Sequence, residues 1–331
     1  MFTHGRHSVP KVFIIHENGE WTKPLITALE SRNIPYSDWD MSTGILDLSQ
    51  PAPEGVFYNR MSASSHTRGN RFAPEMSVGV LAWLESQDRI TFNGRSALNL
   101  EISKLVQYAA LEKVQLLVPQ TIAVSSREDV IRAYRSLPFD EVITKHNRAG
   151  KGLGVQLLKS EAAANEHIHN PGFEDSVDGL TLVQQYIRPV DGTITRVEFI
   201  GREFLYAVKV DTSNGFELCP ADVCSLDAGF CATEASAKFP FDIIPDFENT
   251  QVGRTLLPKM KALMKNEGLD VAGFEFVTDD AGRHYCYDIN TNTNYNSDAE
   301  ARFGVSAMDC LADYFGKELA AAYEGKFEKA G

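Results

Sequence analysis

A mixed fold, one open α/β domain followed by a longer region of strands, hairpins and helices, is what this sequence predicts, and three observations carry it. Short apolar strands alternate with helical stretches over residues 1–95. A glycine-rich strand–turn–strand, EVITKHNRAGKGLGVQLLKS, occupies the middle of the chain. Near the C-terminus Gly273 to Tyr295, GFEFVTDDAGRHYCYDINTNTNY, reads as a hairpin with an apolar face and a carboxylate-bearing face.

In chain order, Lys11 to Ile15 predicts a first buried strand and Thr22 to Arg32 the helix after it, with Pro24 in its first turn. Ile34 to Tyr36 resumes as a strand, and Gly55 to Arg60 is another. Open sheets of this kind bind ligands at the carboxyl ends of their strands. The polar segment NRMSASSHTRGN is therefore a candidate substrate loop, with Arg60 and Arg68 as a carboxylate clamp and Ser62, Ser64, Ser65 and His66 nearby. A solvated loop is the competing reading. Leu98 to Lys113 predicts one helix, apolar at 102, 105, 106, 109 and 110, with Lys104 within it. Val118 to Val124 is a strand, and Ser125 or Ser126 caps a helix from Arg127 to Leu137.

The glycine-rich region runs in on Val142 to Lys145, turns through Gly150, Gly152 and Gly154, and leaves on Val155 to Leu158. Three glycines in five residues free the backbone to fold N–H groups around an anion, and Lys145 and Lys151 add positive charge. The spacing fails the Walker pattern, and a strand follows where the dinucleotide pattern needs a helix. A phosphate flap on a hairpin remains, against a plain flexible turn. Leu180 to Ile187 is β-rich and ends at Arg188-Pro189. DGTITRVEFIG and REFLYAVKV form a hairpin turning at Gly201, with Arg196 and Lys209 in its strands. After an irregular segment, Thr250 to Asn266 is an amphipathic helix, with Pro258 a point of interruption, and a last helix spans about Ser306 to Tyr323.

In the C-terminal hairpin, an even-sized loop centred on Asp280 and Ala281 sets Glu275 opposite Cys286, with Asp288 diagonal to Glu275 and Asn290 on the same face. Phe274, Phe276, Tyr285, Tyr287 and Ile289 then form the core face. Two carboxylates and an amide suit a hard cation such as Mg²⁺, which fills its remaining positions with water and substrate phosphates. An exposed polar hairpin is the alternative.

Composition narrows the function classes. With 32 basic and 45 acidic residues the 331-residue chain has a net charge of −13, which opposes nucleic-acid binding but not nucleotide binding. No apolar run approaches the roughly 20 residues of a membrane helix, and the N-terminus reads as a strand, so neither membrane nor secretion is expected and the cytoplasm is. Cys219, Cys224 and Cys231 lack CxxC pairing and adjacent histidines, which argues against zinc and for reduced thiols. No Ser-His-Asp or Cys-His set is legible.

The order of these parts is lysine helix, lysine strand with glycine flap, QQYI strand, Arg/Lys hairpin, then Glu…Asp-x-Asn hairpin. From Leu98 to Asn296 it resembles the ATP-grasp superfamily, nearest the RimK-like branch of carboxylate–amine ligases. The resemblance implies an ATP-grasp fold: an N-terminal (pre-ATP-grasp) α/β domain over 1–95, a central lobe over 96–187 and a C-terminal lobe over 188–331, the two α+β lobes clasping ATP. It implies that Lys104 and Lys145 contact the ATP phosphates while the loop Ala149 to Gly154, with Gly150, Lys151, Gly152 and Gly154, closes over them. Gln184, Gln185, Tyr186 and Ile187 would run along adenine and Asp191 near the ribose. Arg196 would stand at the reacting centre, Lys209 near the transferred phosphate, and Glu275, Asp288 and Asn290 on Mg²⁺, two ions, with Mn²⁺ as a substitute. The implied activity joins a small-molecule or peptide carboxylate to an amine through an acyl phosphate. A small-molecule kinase and a non-catalytic ATP-binding regulator are the alternatives, and relatives often form homo-oligomers.

Three departures fall within that resemblance. Glu275 and Asp288 exchange the family's more usual order. Thr291 to Asn296 replaces a small loop that often contains Pro-Gly. Cys219 to Cys224 stands where relatives often carry an asparagine and glycines. The latter two lie on the substrate side, which makes Asp222 and Asn292 candidate substrate contacts beside Arg60, His66 and Arg68.

Overall fold

The computed structural model describes residues 9–150, 152, 154–212 and 241–324. In strand β1 (Lys11–His16) Val12, Phe13, Ile14 and Ile15 are all buried, because the strand has a core on each face. Val12 and Ile14 pack with Leu25 and Leu29 of α1 (Gly19–Ser31), whose N-cap is Asn18. Phe13 and Ile15 pack with Trp39 and Phe57, from β2 (Tyr36–Asp40) and β3 (Gly55–Asn59), and with Leu81 of α2 (Ala73–Ser86). With β4 (Ile90–Phe92) these strands make a parallel sheet in the order β2-β1-β3-β4. The second strand starts at Tyr36, not Ile34, since Pro35 has no N–H to give the ladder. Helix α2 and strand β4 were not anticipated from the residue pattern.

The expected single helix from Leu98 to Lys113 is two: α3 (Arg95–Glu101) and α4 (Lys104–Lys113). Ser103 breaks it by capping α4, accepting the Val106 N–H, so Lys104 opens a helix instead of lying inside one. Both helices pack on the C-terminal lobe, where Leu100 and Leu111 meet Phe274 and Ile289, although they precede the central lobe in sequence.

The central lobe comprises β5 (Thr121–Val124), α5 (Arg127–Ser136), β6 (Val142–His146), β7 (Gln156–Leu158), α6 (Glu161–His169) and β8 (Thr181–Gln185). Its antiparallel sheet has the order β5-β8-β6-β7. Val142, Leu158 and Val183 meet α5 and α6 on one face, and alternation leaves Ile143 and Lys145 on the other.

The C-terminal lobe holds β9 (Thr193–Ile200), β10 (Glu203–Asp211), β11 (Phe241–Ile244), α7 (Gln251–Glu267), β12 (Val271–Thr278) and β13 (His284–Asn290). They form an antiparallel sheet in the order β11-β10-β9-β12-β13. Helix α7 runs unbroken through Pro258, whose ring lies on its exposed side. After α8 (Ser297–Phe303), helix α9 (Ala307–Ala322) wedges between this sheet and the N-terminal one. There Leu311 and Phe315 pack against both Tyr58 and Tyr206, while Arg32 of the N-terminal domain pairs with Asp309 at 2.7 Å and Asp313 at 2.6 Å. The carboxyl end of β3 is thereby held over the lobes. Among the described residues no helix is long and apolar enough to cross a membrane.

The carboxylate hairpin differs in register from the even-loop expectation. Its loop spans residues 279–283, which sets Val277 opposite Tyr285 and Phe276 opposite Cys286. A β-bulge then shifts the ladder so that Glu275 faces Asp288 directly, with Tyr287 as the extra residue. The core face is Phe274, Phe276, Cys286 and Ile289, while Tyr285 and Tyr287 join the opposite side.

Candidate active site

A cleft of about 290 Å³ lies where the central lobe, the C-terminal lobe and the N-terminal domain meet. One end is apolar, built from Ile143, Tyr186, Ile187, Ile194 and Val277, and suits a flat ring. The other end gathers Lys104, Lys145, Arg196, Glu275, Asp288 and Asn290 from five elements, α4, β6, β9, β12 and β13.

Each of these side chains has a local reason for its position. Asn147 holds the amino end of α4, accepting the Leu105 N–H at 2.9 Å, while Lys104 donates to Asp288 at 2.6 Å. Lys145 is 5% exposed, between the rings of Tyr108 and Tyr287 at 5.2 and 5.8 Å. Burial and then the charge of Lys104 pull its ammonium down to about 7. Gln107 of α4 clamps the outer edge of β13, donating to the Ile289 carbonyl at 2.8 Å and accepting its N–H at 3.0 Å. That edge needs such partners because β13 is the last strand in the sheet order, and Leu117 serves it too by accepting the Cys286 N–H at 2.8 Å.

Arg196 and Glu198 alternate onto the cleft side of β9 and pair at 2.6 Å, with Glu275 at 3.9 Å from the same guanidinium. Gly273 makes room for them, since a Cβ there would lie 2.7 Å from Glu198 Oε2 and 2.9 Å from Arg196 Nε. Burial raises Glu198 to about 7, against the opposing pull of Arg196. Glu275 is also raised, first by burial and then by the carboxylate of Asp288 opposite.

Glu275 and Asp288, with the Asn290 amide donating to Glu275 at 3.2 Å, are the oxygen donors present for a cation. Among the described residues no group of three His, Cys, Asp or Glu side chains gathers to hold a metal. The set suits a magnesium ion that takes its other ligands from phosphate oxygens and water: two facing, partly buried carboxylates favour positive charge between them, which Lys104 and Arg196 supply in part here.

Other anticipated residues occupy different positions. Gly150 and Gly152 line the cleft; Gly154, in the left-handed region at φ +71°, packs on the His146 ring, where a Cβ would lie 2.3 Å away. Gln184, Gln185, Tyr186 and Ile187 border the apolar end, with Gln184 also donating to Thr121 at 2.7 Å. Lys209 does not face the charged end of the cleft. It pairs across the sheet with Thr195, on the face opposite Arg196, and its ammonium meets Asp191 at 2.6 Å. Neither Lys209 nor Asp191 borders the cleft, because side-chain alternation turns the lysine away and engages the aspartate.

The proposed clamp of Arg60 and Arg68 is also occupied. Arg60 bonds protein acceptors, and Arg68 pairs with Glu17 and lies 4.6 Å above the Trp21 ring. His66 contacts the Ala63 carbonyl outside the cleft lining, and burial lowers its pKa. Asn292 borders the cleft. Lys151, Asp222 and the Cys219, Cys224 and Cys231 segment lie outside the described residues.

Sequence reading missed Tyr287, which the bulge turns into the cleft, and Asn294 and Trp21, which complete its wall. It also missed Glu101. That carboxylate accepts the N–H groups of Ala63 at 3.1 Å and Thr291 at 2.8 Å, joining the loop after β3 of the first domain to the end of β13. Burial raises it against those two hydrogen bonds. No local pattern marks a residue whose partners lie 38 and 190 positions away.

Two lobes meeting at such a cleft, with a glycine-rich strand–turn–strand and a two-carboxylate hairpin, give this chain the fold of the ATP-grasp proteins. Its architecture is similar to that of a RimK-domain protein. A RimK-domain ATP-grasp protein from Sphaerobacter thermophilus DSM 20745 superposes with a TM-score of 0.61, at 16% identity over 92% of this chain and 98% of that one. The D-cycloserine synthetase DcsG gives 0.64 at 14% identity, covering 93% and 99%. The ATP-grasp ligase PsnB, complexed with a minimal precursor, gives 0.63 at 16%, covering 95% and 100%. In sequence, a probable alpha-L-glutamate ligase from Rhodopirellula baltica is 23% identical over 192 residues, 57% of this chain. The chain spans 46% of the length of that curated relative. No protein-family model matches the sequence.

Proposed function

We propose that this chain is an ATP-dependent ligase that joins a carboxylate to an amine through an acyl phosphate. The observation that carries the reading is the convergence of Lys104, Lys145, Arg196, Glu275 and Asp288 at one end of a cleft whose other end is apolar. The apolar end accommodates adenine, and the two lysines hold the phosphates. A substrate carboxylate oxygen attacks the γ-phosphorus and ADP departs; the amine then attacks the acyl carbon, and phosphate leaves as the C–N bond forms. Positioning and charge neutralisation supply the rate, so no acid–base dyad is required. Mg²⁺ held by Glu275, Asp288 and Asn290 would neutralise charge on the phosphates. Arg196, fixed by Glu198, stabilises the oxyanion as the amine adds. The names of the glutamate ligase, the ligase PsnB, which is also solved with a precursor peptide, and the D-cycloserine synthetase support this chemistry.

The test is phosphate release from ATP that requires an acid and an amine together, with an amide as product. A phosphorylated alcohol as the stable product would make the protein a kinase instead. Firm Mg-ATP binding with no turnover on any acid–amine pair would make it a binding protein.

A further inference from the structure

The loop after the carboxylate hairpin alternates: Thr291 and Thr293 are buried, whereas Asn292 and Asn294 reach the cleft. Behind them is Arg60, 2% exposed, whose guanidinium is bonded entirely to neutral acceptors. Its Nε donates to Asn292 Oδ1 at 3.1 Å and its Nη2 to Asn294 Oδ1 at 3.4 Å, with the Trp21 and Thr293 carbonyls taking the rest at 3.0 and 3.2 Å. No carboxylate pairs with it among the described residues, in contrast to Arg68, which has Glu17.

Two consequences follow from chemistry. A guanidinium only donates, so both amide oxygens must point at Arg60 and both NH₂ groups must point away, into the cleft. Since Nε and Nη2 form one edge of the fork, the two amides stand side by side. A buried cation without a counter-ion is costly, and the two polarised amides carry its influence to the cleft wall. The missing negative charge is therefore one that a ligand brings.

We propose that Asn292 and Asn294, charged from behind by Arg60, form a subsite for a carboxylate of the acid substrate. The two amides touch the ligand; Arg60 is a positioning residue that never does. The nucleotide phosphates have Lys104 and Lys145, so the anion here is the organic acid. The proposal rests on the ligase reading only for the substrate's being an acid.

Asn292→Asp and Asn294→Asp separate this role from a structural one. Either variant keeps an oxygen for Arg60 and replaces the cleft-facing donor with an acceptor. Both should melt at or above the wild-type temperature, because the new carboxylate meets an unpaired cation. Glutarate, L-glutamate and N-acetylglycine, titrated calorimetrically into the full chain beside their amides and inorganic phosphate, are the probes. At least one acid should bind the wild type, more tightly than its amide or phosphate, and about tenfold or more weaker in each variant. The proposal is overturned if none of the three acids binds, if the variants bind them equally, if phosphate is preferred, or if both variants lose thermal stability. Acid binding lost in the variants without any acid-dependent ATP turnover would keep the subsite and remove the ligase. Turnover with variant-insensitive acid binding would do the reverse.

Discussion

Burial and the charge of Lys104 hold the Lys145 ammonium far below the ordinary lysine range, and the sign of its effect follows from those surroundings. Its folded-state value of about 7 lies below the ordinary 10.5, because burial and Lys104 disfavour the ammonium. Below about pH 7 the lysine is charged in both folded and unfolded chains, and the full cost of burying that charge weighs on the fold. As pH rises from there toward 10.5, the folded chain releases the proton first and the cost is relieved. Nucleotide phosphates reverse this preference. Nucleotide binding should take up a proton near pH 8 and weaken above about pH 7, by at most tenfold per pH unit. Calorimetry in two buffers of different ionisation enthalpy checks this, and zero proton uptake would separate Lys145 from the phosphates. Glu275→Gln and Asp288→Asn should each lower turnover by about 100-fold or more without unfolding the chain. Near-normal rates in either would sink the metal assignment.

The C-terminal hairpin shows what an element adds to its residues. Alternation alone gave two carboxylates on one face, which holds; the odd loop and the bulge decided that Glu275 meets Asp288 directly and that Tyr287 turns inward. Loop parity is not written in a local pattern, because β12 takes its register from β9 as well as β13, with Glu275 opposite Arg196. The same neighbour makes Gly273 a site of close approach. Gly273→Ala should destabilise the protein by about 1–3 kcal/mol, since its Cβ would press into the buried Arg196–Glu198 pair. It should also reduce turnover more than nucleotide affinity. A denaturant midpoint equal to wild type would show that the pair yields without cost.

At the scale of the molecule, the flap is tied to the domain across from it. Arg148 donates to Glu75 Oε1 at 2.8 Å and to the Arg71 carbonyl at 3.2 Å, and a Cβ on Gly150 would lie 3.4 Å from that of Ser64. The first domain thus borders the cleft together with the two lobes, through Trp21, Ser62, Ala63 and Ser64. Arg148→Ala should raise the KM for ATP about tenfold and speed amide exchange around Asn147 to Gly150. Unchanged exchange would show that the flap is held by its own hairpin.

The sequence by itself determined the order of the parts and the identity of the charged groups. Buried strands read as apolar runs, the turn after β6 as clustered glycines, and the candidate cation ligands as a strand-borne Glu275 followed by Asp288-x-Asn290, because each depends on side-chain chemistry within a few residues of one strand or turn. Tertiary structure alone decided which charges share the cleft. Arg60, Arg68 and Lys209 look as available as Arg196 in a string of letters. Folding surrounds Arg60 with four neutral oxygens, gives Arg68 to Glu17 and turns Lys209 to the far face. Those outcomes rest on register and on contacts between distant segments, such as Glu101 with Ala63 and Thr291, which exist only once the three parts have packed.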